Sequence, residues 1–150
     1  MIKHSFLTKI GVITLYSNNN KIITINLNSD TVEKDLPDQA ILEAKAQILE
    51  YFSGTRKTFD FPYELSGTKF FITVLKTMKK IPYKKTWSYT DLAIESGNEK
   101  AIRAVGTVCK NNPLPLIFPC HRVIKKTGEI GNFNGGIKLK KFLLALEKRS

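Results

Sequence analysis

The strongest constraint on this chain is a change of pattern at Ser66-Gly67. Before it, apolar residues sit in short β-branched runs; after it, they recur at helical spacing. Ile10-Gly-Val-Ile-Thr-Leu-Tyr16 and Lys21-Ile-Ile-Thr-Ile-Asn-Leu27 are β-rich, and Ser17-Asn-Asn-Asn20 between them has turn chemistry. The pair predicts a hairpin. Pro37-Asp38 then precedes Ile41, Leu42, Ile48, Leu49 and Phe52, and Gly54 follows. This is an amphipathic helix with proline near its start and glycine just past its end. Phe59-Asp60-Phe61 reads as a short strand. Residues 1–65 therefore predict a small sheet with one helix, an N-terminal α/β support domain in which no chemistry suggests itself.

Residues 66–150 predict a second, mainly helical domain. Phe70, Phe71, Val74, Leu75 and Met78 form one apolar face, and Ile81-Pro82 ends that helix. Ser88-Tyr-Thr-Asp91 resembles a capping box opening a short helix that stops at Gly97. Asn98 is placed to cap the next helix, through Ala101, Ile102, Val105 and Val108 to about Lys110. Two short helices across a tight turn make a helix-turn-helix candidate, with Arg103 on its second helix. Ala101, Ala104 and Gly106 would let that helix approach a partner, or simply pack against another helix. Asn111-Asn-Pro-Leu-Pro115 cannot be helical, and Leu116-Ile-Phe118 reads as buried. Gly128 to Gly136 is a glycine-rich loop that lets the backbone approach a ligand. Leu139, Phe142, Leu143 and Leu146 give the last helix its inward face. The fold class is α+β: a small N-terminal sheet-plus-helix lobe and a mainly helical C-terminal lobe with a helix-turn-helix.

Charge divides at the same place. Residues 1–65 hold seven Lys/Arg against eight Asp/Glu, a net of −1. Residues 66–150 hold seventeen against five, so the whole excess of +11 lies in the second half. A basic half joined to a neutral half suggests a polyanionic partner for the basic one. The longest apolar runs are only a few residues, which excludes a membrane-spanning segment. The start of the chain lacks the apolar core and cleavage site of a signal peptide, so a cytoplasmic location is expected. Two cysteines, Cys109 and Cys120, make no secreted disulfide framework, and with two histidines a four-ligand zinc site is hard to assemble. No metal and no cofactor are expected.

Cys120 is the centre of the chemistry. A thiolate is the strongest side-chain nucleophile, and basic surroundings favour it. On an extended segment, His121 would point away from Cys120, and a water between them would restore a proton path. A lone Cys-His pair is equally well a small buried hydrophobe beside a histidine, and that reading stands for Cys109.

Pro119-Cys120-His121-Arg122-Val123 resembles the active-site signature of the O6-alkylguanine-DNA alkyltransferases, the methylated-DNA–protein-cysteine methyltransferases. Ile81-Pro82, Ser88-Tyr89, Gly97-Asn98, Arg103-Ala-Val-Gly106, Asn112-Pro113-Leu-Pro115, Gly131-Asn132 and Gly135-Gly136 resemble the family in order and spacing. The clear resemblance covers roughly residues 66–150. It implies that Cys120 attacks the alkyl carbon on guanine O6, or on thymine O4, and keeps the group, so that each molecule acts once. It further implies that His121 is the base through water, that Glu147 orients it, and that Tyr89 and Lys140 neutralise charge on O6. Arg103 would fill the stack vacated by the flipped nucleotide, and Asn112 would brace the active-site loops. The backbone at Val123 and Asn134-Gly135 would read the base. Tyr89, Thr90, Asn98 and Lys126 would meet DNA. Phe133 and Asn134 stand where the family often has tyrosine and serine, so alkyl-size preference is not carried over. The implied partner is double-stranded DNA containing O6-alkylguanine, met by a monomer. Two competing readings remain: a non-catalytic helix-turn-helix protein binding alkylated DNA, and a cysteine hydrolase. The first predicts no covalent product, the second turnover without DNA.

Overall fold

The structure, a computed structural model, describes residues 1–131, 133 and 135–149. The chain forms two compact units, Met1–Leu65 and Ser66–Ser150.

The first unit is built on a three-stranded antiparallel sheet of order β1-β2-β3, with β1 Ile2–Thr8, β2 Gly11–Asn18 and β3 Lys21–Asn26. The expected hairpin is β2–β3. Its turn tightens onto Asn19 and Asn20, both at positive φ (51° and 60°), a conformation asparagine tolerates better than most residues. Strand β1 was not expected, because Ile-Lys-His-Ser-Phe-Leu-Thr has no clean alternation. Pairing holds it on both sides. Ile2 to Thr8 register against Ser17 to Gly11, and Ser5 N donates to Glu33 O (2.9 Å) while Asp35 N donates to Lys3 O (3.1 Å).

Helix α1, Gln39–Phe52, is capped by Asp38, whose Oδ1 accepts from Ile41 N at 2.9 Å. Oδ2 of the same carboxylate accepts from Ser17 Oγ at 2.6 Å, which ties the cap to β2. Ala40, Ile41, Ala44, Ile48, Tyr51 and Phe52 are buried, with Ile13, Leu15, Ile22 and Ile25 buried in the sheet. Leu42 and Leu49, expected inward, are exposed because the buried face is centred on Ile41, Ala44, Ile48 and Tyr51. Phe59-Asp60-Phe61 is not a strand. Phe59 packs between Tyr51 and Phe61, with ring centroids 5.5 and 6.0 Å apart, and Gln47 hydrogen-bonds the Asp60 amide and carboxylate. The local pairing lies further on, where Ile22 N donates to Pro62 O and Glu64 N to Ile22 O, both at 2.9 Å.

The second unit begins with α2, Lys69–Met78, capped by Thr68. Val74, Leu75 and Met78 are fully buried, but Phe70 stays exposed at the edge of the expected face. Strand β4, Trp87–Ser88, pairs in parallel with β5, Val123–Ile124, a contact no local pattern announced. The expected capping box opens α3, Tyr89–Glu95: Asp91 N donates to Ser88 Oγ (3.0 Å) and Ser88 N to Asp91 Oδ2 (2.9 Å). Helix α4, Ile102–Lys110, packs on α3 and α2. Asn98 does not cap it. Asn98 Oδ1 accepts from Lys100 N at 3.2 Å, closing a separate turn, and Ala101 occupies the cap position without a side-chain bond. Helix α5, Ile137–Arg149, ends the unit. Among the described residues, no helix is long and apolar enough to cross a membrane.

Candidate active site

Cys120, His121 and Arg122 form one turn of 3₁₀ helix leading into β5, not the extended segment expected. All three side chains are buried, and Cys120 is only 2% exposed. The turn rests on Asn112, which follows α4 by two residues and is itself 1% exposed. Asn112 Nδ2 donates to Phe118 O (2.8 Å) and to Cys120 Sγ (3.3 Å), and its Oδ1 accepts from Leu114 N (2.9 Å). The buried amide thus spends both ends within the loop, and α4 is coupled through it to the sulfur. Between the two, Leu116 holds φ at 80°, a left-handed conformation uncommon for a non-glycine residue. Burial pushes the Cys120 thiol up to about 11, although the Asn112 bond and the charge of Lys140 pull it down.

Helix α5 supplies two ionisable groups to the buried side of this turn. Glu147 Oε2 accepts from His121 Nε2 at 2.5 Å. The carboxylate also accepts from Arg122 Nε (2.8 Å, to Oε1) and Nη2 (3.1 Å, to Oε2), and Oε1 accepts from Lys84 N at 3.3 Å. Burial works to raise the Glu147 pKa, but bonds and charges from His121 and Arg122 outweigh it and hold it at about 2. An ionised carboxylate must receive a proton from Nε2, so that nitrogen carries the hydrogen and Nδ1 is left as an acceptor. Nδ1 is buried and meets no hydrogen-bond partner among the described residues. Burial lowers the His121 pKa, opposed by Glu147 and assisted by Arg122 and Lys140. The ring is therefore held neutral, with one acceptor available.

Lys140, the second group from α5, is fully buried; its Nζ donates to Val123 O at 2.6 Å and lies 5.7 Å from the Tyr89 ring centroid. Burial lowers the pKa of Lys140 and pushes Tyr89 up to about 12, so the ammonium gives up its proton more readily and the phenol keeps its own more firmly. Tyr89 faces the backbone of the 131–136 loop. A Cβ on Gly131, where φ is 75°, would fall 3.0 Å from its hydroxyl. A Cβ on Gly135 would fall 2.5 Å from Leu139 Cδ2, so the loop closes on α5 only without a side chain there. Phe133 is buried beside it.

The structure thus gathers Cys120, His121, Glu147, Lys140, Tyr89, Asn112, Val123 and Gly135 in and around one buried cluster. Arg103 lies exposed in the first turn of α4, Thr90 half-buried at the start of α3, and Asn98 exposed in the turn between them. Lys126 stands on a separate exposed turn, closed by Gly128 N donating to Lys125 O at 2.8 Å. Asn134 lies outside the described residues. One participant was not foreseen, and Cys109 is buried as expected. Arg122 is inside the signature, but its partner is 25 residues away and nothing local names it. Cys109, buried on α4, is pushed up to about 12 by burial and by the neighbouring Cys120. Among the described residues, no group of three or more His, Cys, Asp and Glu side chains could hold a metal ion.

Comparison with known proteins gives a consistent result over the whole length. Residues 1–65 match the model of the 6-O-methylguanine DNA methyltransferase ribonuclease-like domain, and residues 69–149 that of the DNA binding domain. The constitutive methylated-DNA–protein-cysteine methyltransferase of Bacillus subtilis is 43% identical over 122 residues, 81% of this chain and 73% of that protein. The methylated-DNA–protein-cysteine methyltransferase of Methanosarcina acetivorans is 36% identical over 148 residues, 95% of each chain. Among solved structures, the Mycobacterium tuberculosis OGT in complex with DNA superposes with a TM-score of 0.90 at 34% identity, covering 99% of this chain and 94% of that one.

Proposed function

Because the chain belongs to the 6-O-methylguanine DNA methyltransferase family, we propose that it repairs DNA by moving an alkyl group from O6 of a damaged guanine onto the sulfur of Cys120. The observation that carries this reading is the buried cluster: a 2%-exposed thiol next in sequence to a neutral histidine whose Nδ1 has no hydrogen-bond partner among the described residues and whose Nε2 is anchored by Glu147. A thiol held near pKa 11 is almost wholly protonated at neutral pH, so its reactivity depends on a base at the moment of attack.

In the step itself, the Cys120 sulfur bonds to the alkyl carbon while the bond from that carbon to O6 breaks. The thiol proton passes through a bridging water to His121 Nδ1, and Glu147 stabilises the imidazolium that forms. Guanine leaves with the electron pair and takes a proton from Tyr89 or Lys140. The product is a stable thioether, so each molecule would act once.

A sulfur with so little exposure cannot enter a duplex, so the nucleotide has to come out. Extrusion costs a few kcal/mol, least for damaged pairs. Arg103, exposed on the second helix of the helix-turn-helix, would occupy the gap, and the excess positive charge of residues 66–150 supports phosphate contact. Thr90, Asn98 and Lys126 would contribute to the backbone contacts, and the first unit would act as support. Two free cysteines and a DNA substrate support a cytoplasmic location.

The deciding experiment is the mass of the whole protein after incubation with a short duplex containing O6-methylguanine, followed by peptide mapping. The expected result is one added methylene, on the peptide holding Cys120, and none in Cys120→Ala, which keeps its DNA affinity. DNA binding without any mass gain would replace the transferase with a non-catalytic binder of alkylated DNA.

A further inference from the structure

The geometry points to Arg122 as the positioning residue that keeps His121 a neutral base, by holding Glu147 as a fully compensated anion. This inference rests on the proposed role of His121 as the base for Cys120.

All three guanidinium nitrogens are committed. Nε and Nη2 grip the two oxygens of Glu147 (2.8 and 3.1 Å), and Nη1 donates to Ile81 O at 3.0 Å. The Arg122 guanidinium carbon lies 5.5 Å from the Tyr83 ring centroid, which closes the side facing the 81–85 segment. A planar fork meeting both carboxylate oxygens fixes orientation as well as charge. The side chains of His121 and Glu147 are each 1% exposed, so the total charge of the cluster decides which protonation state is tolerated. With Arg122 present, Arg⁺, Glu⁻ and neutral His sum to zero, and adding a proton to His121 would bury a net positive charge. Without the guanidinium, Glu⁻ and neutral His carry one uncompensated negative charge, and a proton on His121 would cancel it. The imidazolium so formed would have Nδ1 occupied and could accept nothing from Cys120.

The other groups facing His121 do not substitute for Arg122. From α5, Lys140 favours a neutral ring but commits its Nζ to Val123 O. From the 81–85 segment come Tyr83, which stacks on Arg122, and the Lys84 amide, a neutral donor to Glu147. Cys120, on the same turn, is a neutral thiol before reaction.

The chain has two histidines, His4 and His121, so imidazole ¹⁵N NMR reads His121 directly once His4→Gln identifies the other signal. In the unsubstituted protein at pH 7, His121 should be neutral with the hydrogen on Nε2. In Arg122→Gln it should be an imidazolium at the same pH, and Arg122→Lys, which keeps charge but loses the fork, should fall between. Single-turnover alkyl transfer in Arg122→Gln should drop about tenfold or more near pH 6 and recover to within about threefold of the unsubstituted protein near pH 9. A neutral His121 in Arg122→Gln at pH 7, with a loss of rate equal at all pH values, would leave Arg122 merely structural. Should Arg122→Gln fail to fold, an imidazolium at pH 7 in the unsubstituted protein overturns the inference by itself, and Arg122→Lys carries the comparison. The NMR readout needs no alkyl transfer. Failure of the proposed reaction, seen as no methylene on Cys120, is therefore distinct from failure of this inference.

Discussion

The polar groups buried in the two units are of different kinds. In the first they are Thr14, Ser17 and Gln47, all neutral. Each has a partner: Thr14 bonds Ser5 and Ser29, Ser17 bonds Asp38, and Gln47 bonds Asp60. In the second they include His121, Arg122, Lys140 and Glu147, together with Asn112 and Thr77. A hydrogen bond made by a neutral buried group contributes modestly, whereas a buried ion left without its partner is strongly destabilising. The first unit thus buries no ionisable side chain of this kind. The second holds His121, Arg122, Lys140 and Glu147 buried within it, and the proposed proton path through His121 draws on these same groups.

That contrast can be broken. The largest effect expected is for Glu147→Ala, which leaves the guanidinium of Arg122 buried beside a missing anion. It should lower stability by about 3–5 kcal/mol. Urea unfolding followed by the fluorescence of Trp87, the single tryptophan and a member of the second unit, measures this. A loss below about 1 kcal/mol would mean that the charge cluster is solvated and the contrast false.

Next comes Arg103→Ala. If the exposed arginine occupies the place of an extruded nucleotide, transfer from duplex DNA should fall about 100-fold, matching a flipping cost of a few kcal/mol. Transfer from a free O6-alkylguanine base should hardly change, and equal losses on both substrates would argue against flipping.

Acid should then weaken the second unit ahead of the first. The folded-state pKa of His121 lies below its ordinary 6.5, so stability begins to fall as the pH drops through that value. Glu147, at about 2 against an ordinary 4.5, contributes stability that is present above 4.5 and is lost as the pH falls toward 2. The two slopes have the same sign, so the Trp87 unfolding midpoint should decline steadily from pH 7 to pH 3. A midpoint that is flat over that range would show that the cluster does not titrate with folding.

The smallest effect is expected for Gln47→Ala. It removes a neutral amide from Asp60 and should cost about 1–2 kcal/mol, with the single-turnover transfer rate unchanged. A matching loss of rate would give the first unit a part in the chemistry.

Much of the fold was legible because its signals are local. The Ser88–Asp91 capping box, the β2–β3 hairpin and the glycine ends at Gly54 and Gly97 are set by residues a few positions apart. Strand β1 was not legible, since its residues form a strand only through pairing with β2 and with residues 33–35. The same holds for Phe59-Asp60-Phe61, whose strand-like composition is overridden by packing on Tyr51 and by the Gln47 amide. Asn98 is a good capping residue by type, but a turn at Lys100 intervenes before α4 begins.

At the site, the sequence alone determined the family and the basic character of this half, and it named Cys120 and His121 as the candidates for the chemistry, because these lie in residue types, spacings and charge counts. Tertiary structure alone decided how protons are held. The pairing of Arg122 with Glu147 spans 25 residues, and that of Lys84 with Glu147 spans 63. Burial, not residue type, moves the Cys120 thiol to about 11 and keeps His121 neutral. A protonation state depends on solvent exclusion and on the sum of nearby charges, and both exist only when distant segments of the chain are brought together.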